Sequence, residues 1–247
     1  MTEYPHFFDG QFGMESETLR VDHTGRLAQT PHPFADDCIT RDFCENQIEL
    51  ITPVCNSVDE MLSELEKLDT KAREELEKNG ESIWLYSNPP HFETEADIPV
   101  ADFKGEQSGK RVYREQLQRR YGKRLMLFSG IHFNFSFDDE YLHTLYEGDE
   151  FEGFKSGFYL RLYKQLCKYS WLPLVLTAAS PIYDKSLTGD GLKGAEKSRY
   201  SSIRSSERGY WNSFVPILRH TSLEDFINSI KFYVEKGVLF SASELYL

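Results

Sequence analysis

The alternation of polar and apolar residues predicts strands at 13–21 (GMESETLRV) and at 46–52 (NQIELIT). Successive side chains of a strand point to opposite faces, so such alternation fits a strand that is buried on one side. Pro53 ends the second strand, because proline cannot donate a hydrogen bond to a ladder. A short apolar strand is predicted within 82–92, where it leads into a proline turn, and a long strand is predicted over 124–137.

Helical spacing of apolar residues begins after Ser57, which forms the pattern of a capping box with Glu60. The apolar positions recur from Met61 to Leu76, and Gly80 closes the predicted helix.

Three further helices are predicted: 110–121, an aromatic-rich helix over 153–170, and one that Thr221 caps together with Glu224 and that stops at Gly237. Strands and helices are interspersed without strict βαβ alternation. The pattern therefore predicts an α+β fold, with an antiparallel or mixed sheet and helices on its outer face.

Composition is typical of a globular protein, with 40% hydrophobic and 14% aromatic residues among 247. We interpret the chain as a single domain. The formal charge of −12 argues against nucleic acid as a partner, because phosphate binders usually present a basic face. The acidity fits either solubility or a gathering of carboxylates around cations.

Targeting and redox signals are few. The chain has no apolar run of about 18 residues, so we predict no membrane span, and its N-terminal residues lack the pattern of a secretory signal. None of the four cysteines forms a C-x-x-C pair, which argues against a zinc site. A reduced, cytoplasmic setting fits these features best.

Acidic residues share one face of the predicted strands. Glu15 and Glu17 lie two apart in the first strand, Glu49 lies in the second, and His132 and Asn134 alternate with apolar residues in the long strand. Two carboxylates about 7 Å apart repel by roughly 2 kcal/mol at an effective dielectric near 20. If the strands are neighbours, the face favours divalent cations that hold phosphates. Taken singly, Glu15 and Glu17 are better explained by an exposed strand face, and His132 by a hydrogen-bonded structural histidine. The metal site is favoured only when these residues are taken together.

Three blocks of sequence resemble bacterial glutamate–cysteine ligases (gamma-glutamylcysteine synthetases), a family that includes the ligase half of fused bacterial glutathione synthetases. They are GMESETLRVDHTGRLAQTPHP from Gly13, ITRDFCENQIELITP at 39–53 and SGIHFNFSF at 129–137. Shorter blocks follow in the family's order: YREQLQRRYG at 113–122, ASP at 179–181, SIRSSERGY at 202–210 and SELY at 243–246.

The resemblance implies a reaction and a fold related to that of glutamine synthetase. ATP phosphorylates the side-chain carboxylate of L-glutamate, and the amine of L-cysteine then displaces phosphate to give gamma-glutamylcysteine, the first step of glutathione synthesis. The implied cofactor is Mg²⁺, with Mn²⁺ as an alternative.

The resemblance also implies roles for particular residues. The implied metal ligands are Glu15, Glu17, Asp42, Glu49 and His132, although Asp42 could simply cap a turn. Arg204 matches the arginine that grips the carboxylate of the glutamate substrate, a role that suits a bidentate guanidinium. Arg114 faces a phosphate or the substrate, or else makes a structural salt bridge. The positions implicated in the cysteine pocket, with ordinary packing as the alternative, are Phe43, Tyr113, Tyr210 and Tyr246.

The chain departs from the family at its end. Leu247 follows directly after the SELY block, whereas relatives continue to a later strand with a further metal-ligating glutamate. A fragment, a compact member that a second subunit completes, and a member that works differently all fit this ending. Two alternative functions also stay open: a gamma-glutamyl ligase with another amine acceptor, and a non-catalytic domain that binds glutamate or nucleotide.

Overall fold

The computed structural model describes residues 9–105, 108–178, 180–209 and 217–236. These residues form two compact units. The first contains the described residues up to 137 and those from 180 to 209, and the second contains the rest.

The first unit is built on an antiparallel sheet with β1 (Gly10–Asp22) at its centre. β2 (Ile39–Thr40) pairs with β3 (Gln47–Ile51), which pairs with β1 on one side. β4 (Glu81–Trp84) and β5 (Ile131–Phe137) pair with successive stretches of β1 on its other side. The predicted antiparallel sheet is therefore confirmed.

One face of this sheet is covered by helix α1 (Val58–Glu77). A cluster of buried apolar residues joins the helix to the sheet: Ile39, Ile48, Leu50, Ala72, Leu76 and Ile83. The predicted cap is confirmed, because Ser57 Oγ accepts a hydrogen bond from the Glu60 N–H at 3.1 Å. The reciprocal half of the capping box differs, since the Glu60 carboxylate accepts from Asn56 N–H rather than from Ser57.

The long strand predicted over 124–137 is wrong in its first half. A 3₁₀ turn, Arg124–Leu127, precedes β5, and its Met126 carbonyl accepts a hydrogen bond from the Gln47 side chain at 3.0 Å instead of joining a ladder. The apolar face of β5 is also less buried than the alternation suggests. Ile131 and Phe133 are 66% and 54% exposed, and only the end of the strand packs into the core.

The strand predicted within 82–92 is likewise shorter, because β4 ends at Trp84. The Trp84 carbonyl accepts from the Thr18 hydroxyl, and the indole N–H donates to the Asn88 carbonyl at 2.7 Å, which closes a turn before the prolines.

The remaining elements of the first unit are helix α2 (Ser108–Tyr121) and a two-stranded ribbon of β6 (Ile182–Asp184) and β7 (Ala195–Lys197). The second unit contains the helices α3 (Asp139–Thr144), α4 (Phe151–Tyr169), α5 (Trp171–Thr177) and α6 (Leu223–Glu235).

The predicted cap of the last helix is wrong by one residue. Ser222 caps α6 through a bond from the Asp225 N–H at 3.1 Å, so Thr221 lies outside the helix. Gly237, the predicted stop, lies outside the described residues. In the part of the chain that the structure describes, no helix has the length and apolar character needed to cross a membrane.

Candidate functional site

The sheet brings the predicted acids together on the face opposite α1. The antiparallel registers place Glu17 directly across from Glu49 on β3 and place Glu15 across from His132 on β5. On β3, Ile48 and Leu50 face α1, and Glu49 lies between them in the sequence, so the Glu49 side chain points to the other face of the sheet. The convergence of these four site residues, drawn from three strands, therefore follows from strand pairing.

We call the surface formed by Glu15, Glu17, Glu49 and His132 the acid face. A hydrogen bond and a longer ionic contact join His132 to the two glutamates of β1. His132 Nδ1 lies 3.0 Å from Glu15 Oε2, and His132 Nε2 lies 3.8 Å from Glu17 Oε1. Asn134 donates to the other Glu15 oxygen at 3.1 Å. The alternation of β5 placed Asn134 on this face, but the residue types alone gave no sign that it holds Glu15.

Gly130 binds Glu17 through its backbone. Its N–H donates to Glu17 Oε2 at 2.9 Å, and its carbonyl accepts from the Glu17 N–H at 3.0 Å. A Cβ placed on Gly130 would lie 3.6 Å from that carboxylate oxygen and 3.9 Å from Arg204 Nη1. Arg204 therefore lies beside Glu17, at the edge of the acid face. It is carried by a short 3₁₀ turn whose cap is Ser202 and whose Ile203 is buried.

The electrostatics of the acid face favour a cation. Burial raises the pKa of Glu49 to about 7, and the charges of Asp42, Glu17 and Glu15 add to the effect. Burial and the charge of Asp42 also raise the pKa of Glu17, against the lowering effects of the Gly130 N–H, His132 and Arg204. More negative charge is gathered here than the neighbouring cationic groups neutralise.

The pKa of the imidazole is also raised, which for histidine favours the charged form. Burial alone lowers the pKa of His132, but its hydrogen bond to Glu15 and the charges of Glu17, Glu15 and Glu49 together raise it. His132 therefore holds a proton more readily than an isolated histidine and partly substitutes for a bound cation.

The donor set fits a hard divalent cation by its chemistry, since carboxylate oxygens with one imidazole suit Mg²⁺ or Mn²⁺. The side chains are nevertheless turned toward each other. Across the residues that the structure describes, no three His, Cys, Asp or Glu side chains are arranged to ligate one ion. A cation bound by Glu15 would compete with His132, whose Nδ1 lies 3.0 Å from Glu15 Oε2.

Asp42 and Arg114 lie together at one side of the acid face. Asp42 follows Thr40, which pairs with Glu49 in the sheet register. Arg114, on α2, donates from Nη2 to Asp42 Oδ1 at 3.2 Å and from Nε to the Asp42 carbonyl. The structure thus shows the salt bridge that was one of the alternatives for Arg114.

The structure describes two of the four aromatic residues predicted for the cysteine pocket. Phe43 is buried in the core with Leu19 and Leu127, which matches the packing alternative. Tyr113 lies half-buried on α2, and its role toward substrate stays a prediction. Two further predicted positions fall outside the described residues: Tyr210 and Tyr246.

Comparisons with known proteins agree with the geometry. The family described as glutamate–cysteine ligase matches residues 2–239. A glutathione biosynthesis bifunctional protein of Clostridium perfringens is 37% identical over 98% of this chain and 33% of its own length. A glutamate–cysteine ligase of Clostridium acetobutylicum is 39% identical over 76% of this chain and 41% of its own length.

Solved structures show the same likeness. A bifunctional glutathione synthetase from Pasteurella multocida superposes with a TM-score of 0.82 at 29% identity, covering 97% of this chain and 32% of that one. A glutamate–cysteine ligase from Francisella tularensis in complex with AMP gives a TM-score of 0.77 at 29% identity, covering 94% and 51%. The chain therefore spans about a third of the bifunctional relatives and about half of that single-function ligase.

Proposed function

The chain belongs to the glutamate–cysteine ligase family, and we propose that it carries the sheet on which an ATP-dependent ligase joins L-glutamate to L-cysteine. The observation that carries the proposal is the meeting of Glu15, Glu17, Glu49 and His132 on one face of an antiparallel sheet. Family membership supports the reaction class, and the acid face supports a cation-assisted reaction at this sheet.

The proposed chemistry has two steps. The γ-phosphoryl group of ATP moves to a side-chain carboxylate oxygen of glutamate, which gives an acyl phosphate and ADP. The cysteine amine then attacks the acyl carbon, and the carbon–oxygen bond to phosphate breaks to give gamma-glutamylcysteine. Divalent cations at such a site neutralise charge on the transferring phosphoryl group.

The chain's own residues bind and orient in this scheme. Glu17 and Glu49, with Glu15, Asp42 and His132, would hold Mg²⁺ or Mn²⁺. Arg204 would bind the carboxylate of the glutamate substrate, because its guanidinium lies beside Gly130 and Glu17 and can form two parallel hydrogen bonds.

We further propose that another segment or a second subunit completes the site. The chain spans 51% of the Francisella tularensis ligase that it resembles in structure, and the family resemblance implies a further acidic ligand beyond the SELY block.

The test is ADP release by the chain with Mg²⁺, glutamate and cysteine, alone and with the remaining part of a related ligase added as a separate polypeptide. We expect ADP formation that needs both glutamate and an amine. Glu49→Gln should abolish it, whereas Glu74→Gln, on the exposed side of α1, should leave it unchanged.

A panel of amines in place of cysteine defines the acceptor. Binding of glutamate or nucleotide without ADP release, under both conditions, would contradict the ligase assignment and favour a non-catalytic binding domain.

A further inference from the structure

Asp42 is an acid of the proposed cation site that no strand holds in place. It lies in the turn between β2 and β3, two residues beyond the Thr40–Glu49 pair, and its side chain is 45% exposed. A carboxylate on an exposed turn has several open rotamers, so binding a shared cation would cost it conformational entropy. Some other contact must restrict it if it is to serve as a ligand.

The guanidinium of Arg114 supplies such a contact. Its Nη2 donates to Asp42 Oδ1 at 3.2 Å, its Nε donates to the Asp42 main-chain carbonyl, and its Nη1 donates to the Lys110 carbonyl at 3.3 Å. The two bonds to Asp42 fix both the backbone and the carboxylate of that residue.

Arg114 is itself held rigidly. Its guanidinium carbon lies 4.7 Å above the ring of Phe103, a buried residue, which provides a cation–π contact. Only 12% of the Arg114 side chain is exposed. All three guanidinium nitrogens are thus engaged with protein acceptors, and the aromatic ring fixes the plane of the group.

We infer that Arg114 is a positioning residue that acts through Asp42: it holds the Asp42 carboxylate toward Glu17 and Glu49, rather than contacting a phosphate itself. This inference rests on the proposed function, because it takes Asp42 as a cation ligand. Thr40, two residues before Asp42, pairs with Glu49, and Glu49 pairs with Glu17, so the turn that carries Asp42 begins beside both carboxylates.

The test is a Mn²⁺ titration of the full chain followed by electron paramagnetic resonance, which reads cation binding without any turnover. Removing an outer partner of a metal ligand typically costs 10- to 100-fold in metal affinity. We expect Arg114→Gln to weaken Mn²⁺ binding by about 10-fold or more. Asp42→Asn should weaken it at least as much, and the double variant should bind no more weakly than Asp42→Asn alone.

Two further variants separate positioning from general structure. Arg111→Gln removes another arginine of α2, which bonds to Asp102 and Glu115 and not to Asp42, so it should leave Mn²⁺ affinity unchanged. Arg114→Lys keeps the charge with one donor group, and it should restore part of the affinity. Arg114→Lys also serves if Arg114→Gln does not fold, as judged by circular dichroism.

The possible failures are distinguishable. Unchanged Mn²⁺ affinity in Arg114→Gln and Arg114→Lys, or losses that add fully to those of Asp42→Asn, would overturn the positioning role. If ATP affinity fell while Mn²⁺ affinity held, Arg114 would instead be a phosphate contact. A wild-type chain that binds no Mn²⁺, both alone and with the remaining part of a related ligase added, would contradict the cation site itself and hence the proposed function.

Discussion

Replacing Glu49 with glutamine should stabilise the protein in the absence of divalent cations. The substitution removes a carboxyl group that lies across from Glu17 and keeps nearly the same shape. Burial, with the charges of Asp42, Glu17 and Glu15, raises the pKa of Glu49 from 4.5 to about 7. The folded protein therefore holds a proton on Glu49 that the unfolded chain has already released.

The sign of the effect follows from linkage. Between pH 4.5 and about 7 the unfolded chain ionises Glu49 first, so a rise in pH through this window lowers the free energy of unfolding. At about 1.4 kcal/mol per pH unit the full loss is at most roughly 3 kcal/mol. At pH 5 the free energy of unfolding is lowered by less than ~1 kcal/mol, and at pH 8.5 nearly the full loss is present.

Urea denaturation in the presence of a chelator, at pH 5 and at pH 8.5, measures the effect. We expect the advantage of Glu49→Gln over wild type to grow by about 2 kcal/mol between these pH values. Comparing the two pH values cancels any pH-independent cost of burying the amide. Glu74→Gln is the matched control, since Glu74 is exposed on α1, and its advantage should not change with pH. An advantage of Glu49→Gln that is equal at both pH values would refute the reasoning.

Three other predictions concern stability. Mg²⁺ at ten times its dissociation constant should raise the free energy of unfolding of wild type by about 1.4 kcal/mol at pH 8.5. The gain should be smaller for Glu49→Gln. Equal gains in the two proteins, measured by urea titration, would mean that Glu49 does not bind the ion. Burial lowers the pKa of His32 from 6.5 to about 4, so wild type loses stability as pH falls through this window. Between pH 7 and pH 4.5, His32→Gln should lose about 2 kcal/mol less in free energy of unfolding than wild type. Equal losses in the two proteins would contradict this. Leu76→Ala removes a fully buried contact between α1 and the sheet and should cost about 3 kcal/mol in thermal or urea unfolding, whereas Leu62→Ala, 48% exposed in wild type, should cost under ~1 kcal/mol.

The parts of the fold that depend on local pattern could be predicted from the sequence. α1 has both a helical period and a serine cap, and the last part of β1 alternates polar and apolar residues from Thr18 to Asp22. The 3₁₀ turn before β5 could not be predicted, because its apolar residues read equally well as a strand. What decides the conformation there is a bond from the Gln47 side chain to the Met126 carbonyl, between residues distant in sequence.

The acidic residues and the histidine of the acid face could be predicted from the sequence, but the residues that hold them in position could not. Glu15, Glu17, Glu49 and His132 have side chains whose chemistry and spacing indicate a site. Gly130 contributes through its backbone N–H, which every residue except proline carries, so its role has no signal in residue type. The salt bridge between Arg114 and Asp42 connects α2 to the β2–β3 turn, and only the tertiary structure reveals it.

The central position of β1 affects how the site can move. Glu15 and Glu17 belong to a strand whose backbone is bonded along both of its edges, to β3 on one side and to β4 and β5 on the other. Displacing the backbone at either glutamate would break interstrand hydrogen bonds on both edges of β1 at once, which costs more free energy than opening a turn. Amide protons of β1 should thus be among the slowest to exchange with solvent. Any adjustment to an incoming substrate is then expected in the turns around the sheet rather than in β1.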